Sequence, residues 1–149
     1  MKSAEAAVTE LPILTGAKWR VPKAGRFGEV FNPSTGEVLA RVPMCGAVEV
    51  DEAVKAAAKA YRSWSQVSAP ARAAVMFRYK ALLETHFEEL ARLVTRENGK
   101  TLDEARGDVR RGVEVVEFAC GIAHLSKGES LPQVAENIDG LTMREPLGV

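Results

Sequence analysis

One helix ends and another begins within nine residues of this chain, in the stretch Glu97-Asn98-Gly99-Lys100-Thr101-Leu102-Asp103-Glu104-Ala105. Asn98 and Gly99 predict the stop, because glycine readily adopts the left-handed conformation that closes many helices. Thr101 and Glu104 form a capping-box pattern, in which each side chain satisfies a backbone amide at the next helix start. A phosphate loop would need a preceding strand and one more glycine. The stretch is therefore interpreted as a helix junction.

The predicted helix after Thr101 carries an apolar stripe at helical spacing. Its members are Ala105, Val109, Gly112, Val116 and Ala119. Gly107 and Gly112 lie in the helix interior, where each costs about 1 kcal/mol relative to alanine. We expect close approach of another element or a ligand to offset this cost.

Three more helices are predicted upstream of the junction. The second starts at Ser68, two residues before Pro70, and the third starts with a capping box formed by Thr85 and Glu88. The first helix carries a stripe expected to lie in the core: Val50, Val54, Ala57, Tyr61 and Trp64. The third is expected to bury Leu90, Leu93 and Val94.

The two ends of the chain have a β pattern. The turn formers Asn32-Pro33-Ser34-Thr35-Gly36 predict a β-hairpin within residues 13–42. After Gly128, a turn signal at Asp139-Gly140 and alternating apolar residues predict strands. The chain is thus divided into a flexible leader at residues 1–12, a hairpin with helices at 13–127, and an arm of strands at 128–149.

Charge and cysteine content disfavour several kinds of partner. The 20 basic and 20 acidic residues balance, so no overall field attracts nucleic acid. No apolar run reaches the roughly 18 residues of a membrane helix, and no secretory or transit leader is recognised. Cys45 and Cys120 lack metal-binding spacing, and His86 and His124 stand apart, so no metal site is predicted. Reduced thiols favour a cytoplasmic, soluble protein.

Arg111 is the residue whose position invites a functional interpretation. It lies off the apolar stripe, on the face that carries Gly107 and Phe118. Asp108 and Glu114, three residues to either side, allow a surface ion pair as one interpretation, and a ligand contact is the other. The sequence contains no GxGxxG, HExxH or GxSxG motif, so no catalytic centre is predicted in this chain.

Several stretches together resemble the aldehyde dehydrogenase superfamily. The junction at residues 97–105 is similar to that family's helix junction, residues 32–37 to its NPxTGE turn, and residues 144–149 to the approach to its first Rossmann strand. The run at residues 111–125, followed by Lys127-Gly128-Glu129, resembles the methylmalonate-semialdehyde dehydrogenase branch. The chain is identified, from about Gly16 onward, as the N-terminal portion of such a CoA-acylating enzyme.

The resemblance implies an α/β parent fold of aldehyde dehydrogenase type. This segment would be its N-terminal β-hairpin, about four α-helices and a C-terminal β-arm, without the Rossmann sheet. The implied reaction is NAD-dependent oxidation of malonate or methylmalonate semialdehyde, with decarboxylation, to acetyl-CoA or propionyl-CoA. CoA is the implied co-substrate, and no metal is implied.

The resemblance also assigns roles to residues and surfaces. Arg111 is implied to hold the substrate carboxylate, a task that suits a planar guanidinium. Catalytic and cofactor-binding residues are implied to lie outside this chain, and neither Cys45 nor Cys120 matches the nucleophile. The helices would pack on the cofactor domain, and the arm would serve a homo-oligomer, a dimer or tetramer.

The segment alone is expected to be inactive. Two alternatives remain open. One is a non-catalytic interaction or oligomerisation module, and the other is a fragment of a non-acylating aldehyde dehydrogenase.

Overall fold

The computed structural model describes residues 8–23 and 25–149. The strands before the helices are β1 (Thr9–Glu10), β2 (Ile13–Thr15), β3 (Lys18–Arg20), β4 (Phe27–Phe31) and β5 (Val38–Pro43). The helices are α1 (Ala47–Trp64), α2 (Ala69–Thr85), α3 (Phe87–Asn98), α4 (Leu102–Cys120) and the short α5 (Ile122–Leu125). The last strands are β6 (Ser130–Ala135) and β7 (Ile138–Leu141). The predicted order of hairpin, four helices and strands is confirmed, and α5 is an additional turn of helix.

The predicted hairpin is formed by β4 and β5, which pair antiparallel. Its turn is closed by the Asn32 N–H, which donates to the Glu37 carbonyl at 2.8 Å, and by the Gly36 N–H, which donates to the Asn32 carbonyl at 2.8 Å. The Asn32 side chain also accepts a hydrogen bond from the Ser34 N–H at 2.9 Å. These bonds let an asparagine stabilise a sharp reversal of the chain.

The structured region begins earlier than predicted. Residues 1–7 of the predicted flexible leader lie outside the described residues, but Thr9 and Glu10 form β1, which pairs parallel with β5. The Leu11 N–H continues the pairing by donating to the Arg41 carbonyl at 2.8 Å. Two paired residues are too few to leave a clear period in the sequence.

The predicted core stripe of α1 is wrong for this chain. Val50 and Trp64 are 56% and 47% exposed, and no residue of α1 is buried. The β2–β3 hairpin approaches the alanine face of α1 instead, where a Cβ placed on Gly16 would lie 3.9 Å from the Cβ of Ala56. Small side chains allow this close approach, whereas the described residues leave the valine and tryptophan side uncovered.

One of the two predicted capping boxes is present and the other is wrong. At Thr101, the Oγ1 accepts from the Glu104 N–H at 3.3 Å, and Glu104 Oε2 accepts from the Thr101 N–H at 3.0 Å. Thr85 instead belongs to α2, where its hydroxyl donates to the Ala81 carbonyl at 2.9 Å. That bond stabilises the end of α2, and His86 becomes the N-cap of α3. The predicted start of α2 at Ser68 and Pro70 is confirmed.

The helical core is thin and consists of small residues. Helix α4 packs against α2 and α3. The buried apolar residues are Ala73, Ala91, Ala105, Val113 and Cys120. Leu93, predicted to be buried, is 48% exposed, and Leu90 and Val94 are only half-buried. The accessible surface of the chain is 11870 Å², against about 7,400 Å² for a globular monomer of this mass.

Strands β6 and β7 form the predicted C-terminal arm as an antiparallel hairpin. Its residues are exposed except Gly140, and Leu131, Val134 and Ile138 are exposed apolar side chains. The arm is joined to its own flanks by the Thr142 N–H, which donates to the Glu129 carbonyl at 2.9 Å. A two-stranded hairpin in water is marginally stable, and the described residues leave this one uncovered.

The helix junction and the β4–β5 turn are in contact. Gly99 ends α3 with φ at +83°, and its N–H donates to the Thr95 carbonyl at 2.8 Å. A Cβ placed on Gly99 would lie 2.8 Å from Pro33 Cγ. Arg96 and Glu37 approach each other across the same contact, with Nη2 and Oε1 separated by 3.7 Å. The hairpin is thereby attached to the helices at the predicted junction.

Replacing Gly99 by alanine is expected to destabilise the chain by about 2 kcal/mol, because the left-handed backbone strains a side chain and the added methyl meets the Pro33 ring. The matched control is Gly107→Ala, where a Cβ meets nothing within 4 Å, and about 1 kcal/mol of stabilisation is expected from helix propensity. Urea unfolding followed by far-UV circular dichroism measures both. Equal effects of the two substitutions would contradict this explanation.

Candidate functional site

Arg111 lies on an exposed face in the middle of α4. Gly107 is one turn before it, and Val115 and Phe118, each 69% exposed, lie one and two turns after it. The buried Ala105, Val113 and Cys120 face the other way, toward α2 and α3. The Arg111 guanidinium therefore projects from α4 on the side opposite its buried residues, beside Gly107, Val115 and Phe118.

The surface ion pair considered for Arg111 is wrong. The ion pairs found between residues 8 and 149 of the described chain include none with Asp108 or Glu114 as a partner of Arg111. Asp108 is instead hydrogen-bonded to the Lys100 ammonium, which extends back from the junction. The arginine is thus open to a ligand or to another part of a larger protein.

The explanation expected for the two helix glycines is also not found within the described chain. A Cβ on Gly107 or on Gly112 would meet no atom within 4 Å. Gly107 opens toward the face of Arg111, whereas Gly112 lines the opposite, apolar side. The described residues therefore leave space beside both glycines.

A cluster of charged and aromatic side chains joins α3 to α4 on a side of α4 that is turned away from Arg111. Arg106 binds Glu88 with both arms of its guanidinium: Nε donates to Oε1 at 2.8 Å and Nη2 donates to Oε2 at 2.9 Å. Its Nη1 donates to Asp103 at 2.8 Å. One turn later, the Arg110 guanidinium lies 4.9 Å from the centre of the Phe87 ring, a cation–π contact. We call these contacts the Phe87–Glu88 clamp.

Mutual stabilisation of the charges in the clamp shifts their titration. The hydrogen bond from Arg106 is the main cause that holds the pKa of Glu88 below its ordinary value. The hydrogen bonds to Glu88 and then to Asp103 raise the pKa of Arg106. Both groups are exposed, so solvent screens the pair and its chief effect is geometric. The clamp was not predicted from the sequence, because 18 residues separate Glu88 and Arg106 and no short pattern joins them.

An apolar groove of about 250 Å³ lies between α2, α3 and α4, on the side away from Arg111. It is lined by residues that include Tyr79, Leu90, Val109, Gly112 and Val116. No charged side chain lines it, so it offers nothing to a carboxylate or a phosphate. Its chemistry is that of a packing surface.

The cysteines and histidines are not assembled into a catalytic centre. Cys120 is buried and its thiol donates to the Val116 carbonyl at 3.3 Å, while Cys45 is half-buried. His86 contacts Glu89 at 2.8 Å on an exposed helix start. Among the residues that the structure describes, no three metal-binding side chains come together. Within the same residues, no helix is both long enough and apolar enough to cross a membrane.

Carboxylates lie at the N-termini of three of the described helices, α1, α3 and α4. At the start of α1, the Gly46 N–H donates to Glu49 Oε2 at 2.9 Å. At the start of α4, Thr101 and Glu104 occupy the free amides. Glu88 and Glu89 place negative charge in the first turn of α3. These carboxylates stand where a phosphate would bind, so the starts of α1, α3 and α4 do not fit a nucleotide pyrophosphate.

Comparison with known proteins gives a consistent result. A sequence model of the aldehyde dehydrogenase family matches residues 19–149. Malonate-semialdehyde dehydrogenase 2 of Geobacillus thermodenitrificans (strain NG80-2) is 51% identical over 134 residues, which cover 90% of this chain and 28% of that protein. Malonate-semialdehyde dehydrogenase of Lacticaseibacillus casei is 46% identical over 149 residues, 100% of this chain and 30% of that protein.

Solved structures agree with these relatives. A candidate methylmalonate-semialdehyde dehydrogenase from Sinorhizobium meliloti 1021, complexed with NAD, aligns with a TM-score of 0.88 and 36% identity over 97% of this chain and 29% of that one. Methylmalonate-semialdehyde dehydrogenase from Oceanimonas doudoroffii gives a TM-score of 0.85 and 36% identity over 94% and 28%. The chain spans about three tenths of the length of the curated relatives described, which are 28% and 30% covered.

The capping box that starts α4 is expected to make the stability of the chain depend on pH. Hydrogen bonds from the Thr101 side chain and backbone lower the pKa of Glu104 from its ordinary value of 4.5. Because the folded pKa is the lower one, the unfolded chain binds more protons, and the stabilisation is lost as the pH falls through the folded pKa. Glu104→Gln is therefore expected to reduce stability at neutral pH and to match the wild type in acid.

Thermal unfolding followed by circular dichroism at several pH values measures this difference. Glu114→Gln is the control on the same helix, because the hydrogen bonds found in the described part of the chain do not include its side chain. A Glu104→Gln effect that stays constant from neutral to acid pH would refute the assignment.

Proposed function

Because this chain belongs to the aldehyde dehydrogenase family, we propose that it supplies the N-terminal part of an enzyme that oxidises malonate or methylmalonate semialdehyde. The names of its relatives support the substrate class, since proteins 46% to 51% identical to it are called malonate-semialdehyde dehydrogenases. The structural neighbours called methylmalonate-semialdehyde dehydrogenases support it as well. These substrates carry a carboxylate in addition to the aldehyde.

The observation that carries this proposal is the exposed guanidinium of Arg111. No ion pair of Arg111 is found within the described part of the chain, and the helix that bears it is fixed at its start by the Thr101 capping box. Arginine can bind a carboxylate with two parallel hydrogen bonds, which fixes the orientation of the substrate as well as its charge. Arg111 is therefore the proposed substrate-binding residue of this segment.

The cofactors belong to the proposed parent enzyme and not to this segment. NAD as oxidant and CoA as co-substrate, with decarboxylation to acetyl-CoA or propionyl-CoA, complete the proposed reaction. The occupied helix starts do not fit a nucleotide, so no residue here is assigned to either group. The catalytic cysteine is likewise assigned to sequence outside these 149 residues, and no metal is assigned.

The remaining role of the segment is that of a scaffold. The uncovered valine and tryptophan side of α1 and the apolar groove beside Gly112 supply surfaces that the cofactor domain would cover. The exposed β6–β7 arm, at residues 128–149, would pair within a homo-oligomer, a dimer or tetramer. The free thiols of Cys45 and Cys120 favour a reducing compartment, so we assign the enzyme to the cytoplasm.

The exposed apolar surface also supports a second candidate, a non-catalytic interaction or oligomerisation module. The accessible surface area of the chain is larger than that expected for a globular monomer, and the difference is greater than the area buried in a standard protein–protein interface. A third candidate, a fragment of an ordinary non-acylating aldehyde dehydrogenase, is favoured less, because an aldehyde without a carboxylate would leave Arg111 without a partner. The first proposal accounts for both the surface and the arginine.

Substitution of Arg111 by leucine tests the substrate assignment. The substitution is made in a full-length protein in which this chain is joined to the rest of the Geobacillus relative. Loss of a charged hydrogen-bond pair is expected to raise KM for the semialdehyde about 10- to 100-fold. The kcat/KM for propanal, which has no carboxylate, is expected to stay the same. Arg62→Leu, an exposed arginine of α1, is the control, and an unchanged KM in Arg111→Leu would disprove the assignment.

The isolated chain distinguishes the scaffold from the module. We expect no NAD reduction from the purified chain with semialdehyde and CoA, because it lacks both a cofactor site and a nucleophile. Light scattering is expected to find polydisperse association, since the uncovered surfaces fit a larger body and not each other. A monodisperse, stable oligomer would favour the module, and NADH formation would overturn the scaffold proposal.

A further inference from the structure

Two consecutive arginines on α4 have different environments. Residues that follow each other on a helix point about 100° apart, so Arg110 and Arg111 cannot face the same side. Arg110 is held over the ring of Phe87 on α3, while Arg111 faces outward with Gly107 and Phe118. A rotation of α4 by one residue, about 100°, would bring Arg110 to the direction in which Arg111 now points.

The Phe87–Glu88 clamp opposes such a rotation. Arg106 and Arg110 are four residues apart and therefore share one side of α4. Their partners, Glu88 and Phe87, are adjacent on α3, so the two contacts act on successive turns of α4. The two hydrogen bonds from the Arg106 guanidinium to the Glu88 carboxylate must lie in one plane. They therefore fix the orientation of α4 relative to α3 as well as the distance between the two helices.

We propose that Phe87 and Glu88 are positioning residues that set the rotation of α4, so that Arg111 alone faces the substrate carboxylate. This inference rests on the proposed function, because it requires Arg111 to contact the substrate. Neither Phe87 nor Glu88 shares the face of Arg111. Both act through Arg106 and Arg110, on the far side of the helix.

The clamp also limits the charge of the binding face to one guanidinium. Of the carboxylates nearest this face, Glu104 is engaged by Thr101 and Asp108 by Lys100, while Glu114 forms no ion pair with Arg111 among the described residues. With Arg110 stacked on Phe87, a single cation is presented beside uncharged Val115 and Phe118. That arrangement matches one carboxylate attached to a short carbon chain. If Arg110 left the ring of Phe87, its guanidinium could approach that of Arg111. The binding face would then carry two cations, and repulsion between them would change the orientation of both side chains.

The test uses the full-length protein defined above and four variants of it. Phe87→Leu combined with Glu88→Gln removes the cation–π contact of Arg110 and the charged, bidentate pairing of Arg106 with α3, whereas Phe87→Tyr keeps the aromatic ring. Lys80→Met removes the ion pairs of Lys80 with Glu84 and Glu117, and the pair with Glu117 joins α2 to α4. This variant controls for a general loss of stability between α4 and the helices packed against it. Arg111→Leu is included as the fourth variant. Each is assayed for kcat and KM with the semialdehyde and with propanal, and for its unfolding temperature.

We expect the double variant to raise KM for the semialdehyde about tenfold, because a displacement of about 1 Å in a binding group has effects of that order or larger. Its kcat, and its kcat/KM for propanal, are expected to stay within about twofold of the wild type. Phe87→Tyr is expected to behave as the wild type. Lys80→Met is expected to lower the unfolding temperature without changing KM.

Failure of this inference differs from failure of the proposed function. If Arg111→Leu raises KM but the double variant does not, the clamp has no positioning role. The clamp also has no such role if Lys80→Met raises KM as much, or if propanal is affected equally. If Arg111→Leu leaves KM unchanged, the substrate contact and the clamp assignment are both overturned.

Discussion

The left-handed turn at Gly99 is the constraint on which the rest of this structure depends. It ends α3, and the Thr101 capping box two residues later starts α4, so the two helices run back along each other. That return brings Glu88 opposite Arg106, although 18 residues separate them. The same glycine leaves room for Pro33, which attaches the β4–β5 hairpin. A side chain at this position would disturb the hairpin, the clamp and the face of Arg111 together.

The distribution of large and small residues explains why the helices form an open layer. In the helices that the structure describes, the buried positions hold three alanines, one valine and one cysteine, whereas Trp64, Phe77 and Phe118 remain exposed. Small residues let helices approach but bury little apolar area each, so their packing contributes modest stability. Most of the hydrophobic free energy available to this sequence is therefore realised only when another surface covers it.

Local signals in the sequence predicted local structure well. The αL stop at Gly99, the capping box at Thr101 and the turn at Asn32 depend on side chains within a few residues, and each is found. The box at Thr85 failed, because its hydroxyl could also bond backward to Ala81. The predictions that the α1 stripe is buried and that another element approaches Gly107 and Gly112 were wrong for another reason. Periodicity identifies an apolar face or a position without a side chain, but it does not identify what covers that face or position. The contacts of Arg106 and Arg110 with α3 depend on helix packing, which no short pattern encodes.

The exposed β6–β7 arm has a consequence for the order of events during synthesis. In the proposed full-length enzyme, this hairpin and the open helix faces leave the ribosome first, while the residues that cover them follow at about 5–20 per second. For tens of seconds, strands with unpaired edges and apolar side chains such as Leu131 and Ile138 would stay in water. Protection of the nascent chain, and not only the stability of the finished fold, then governs the yield of this protein.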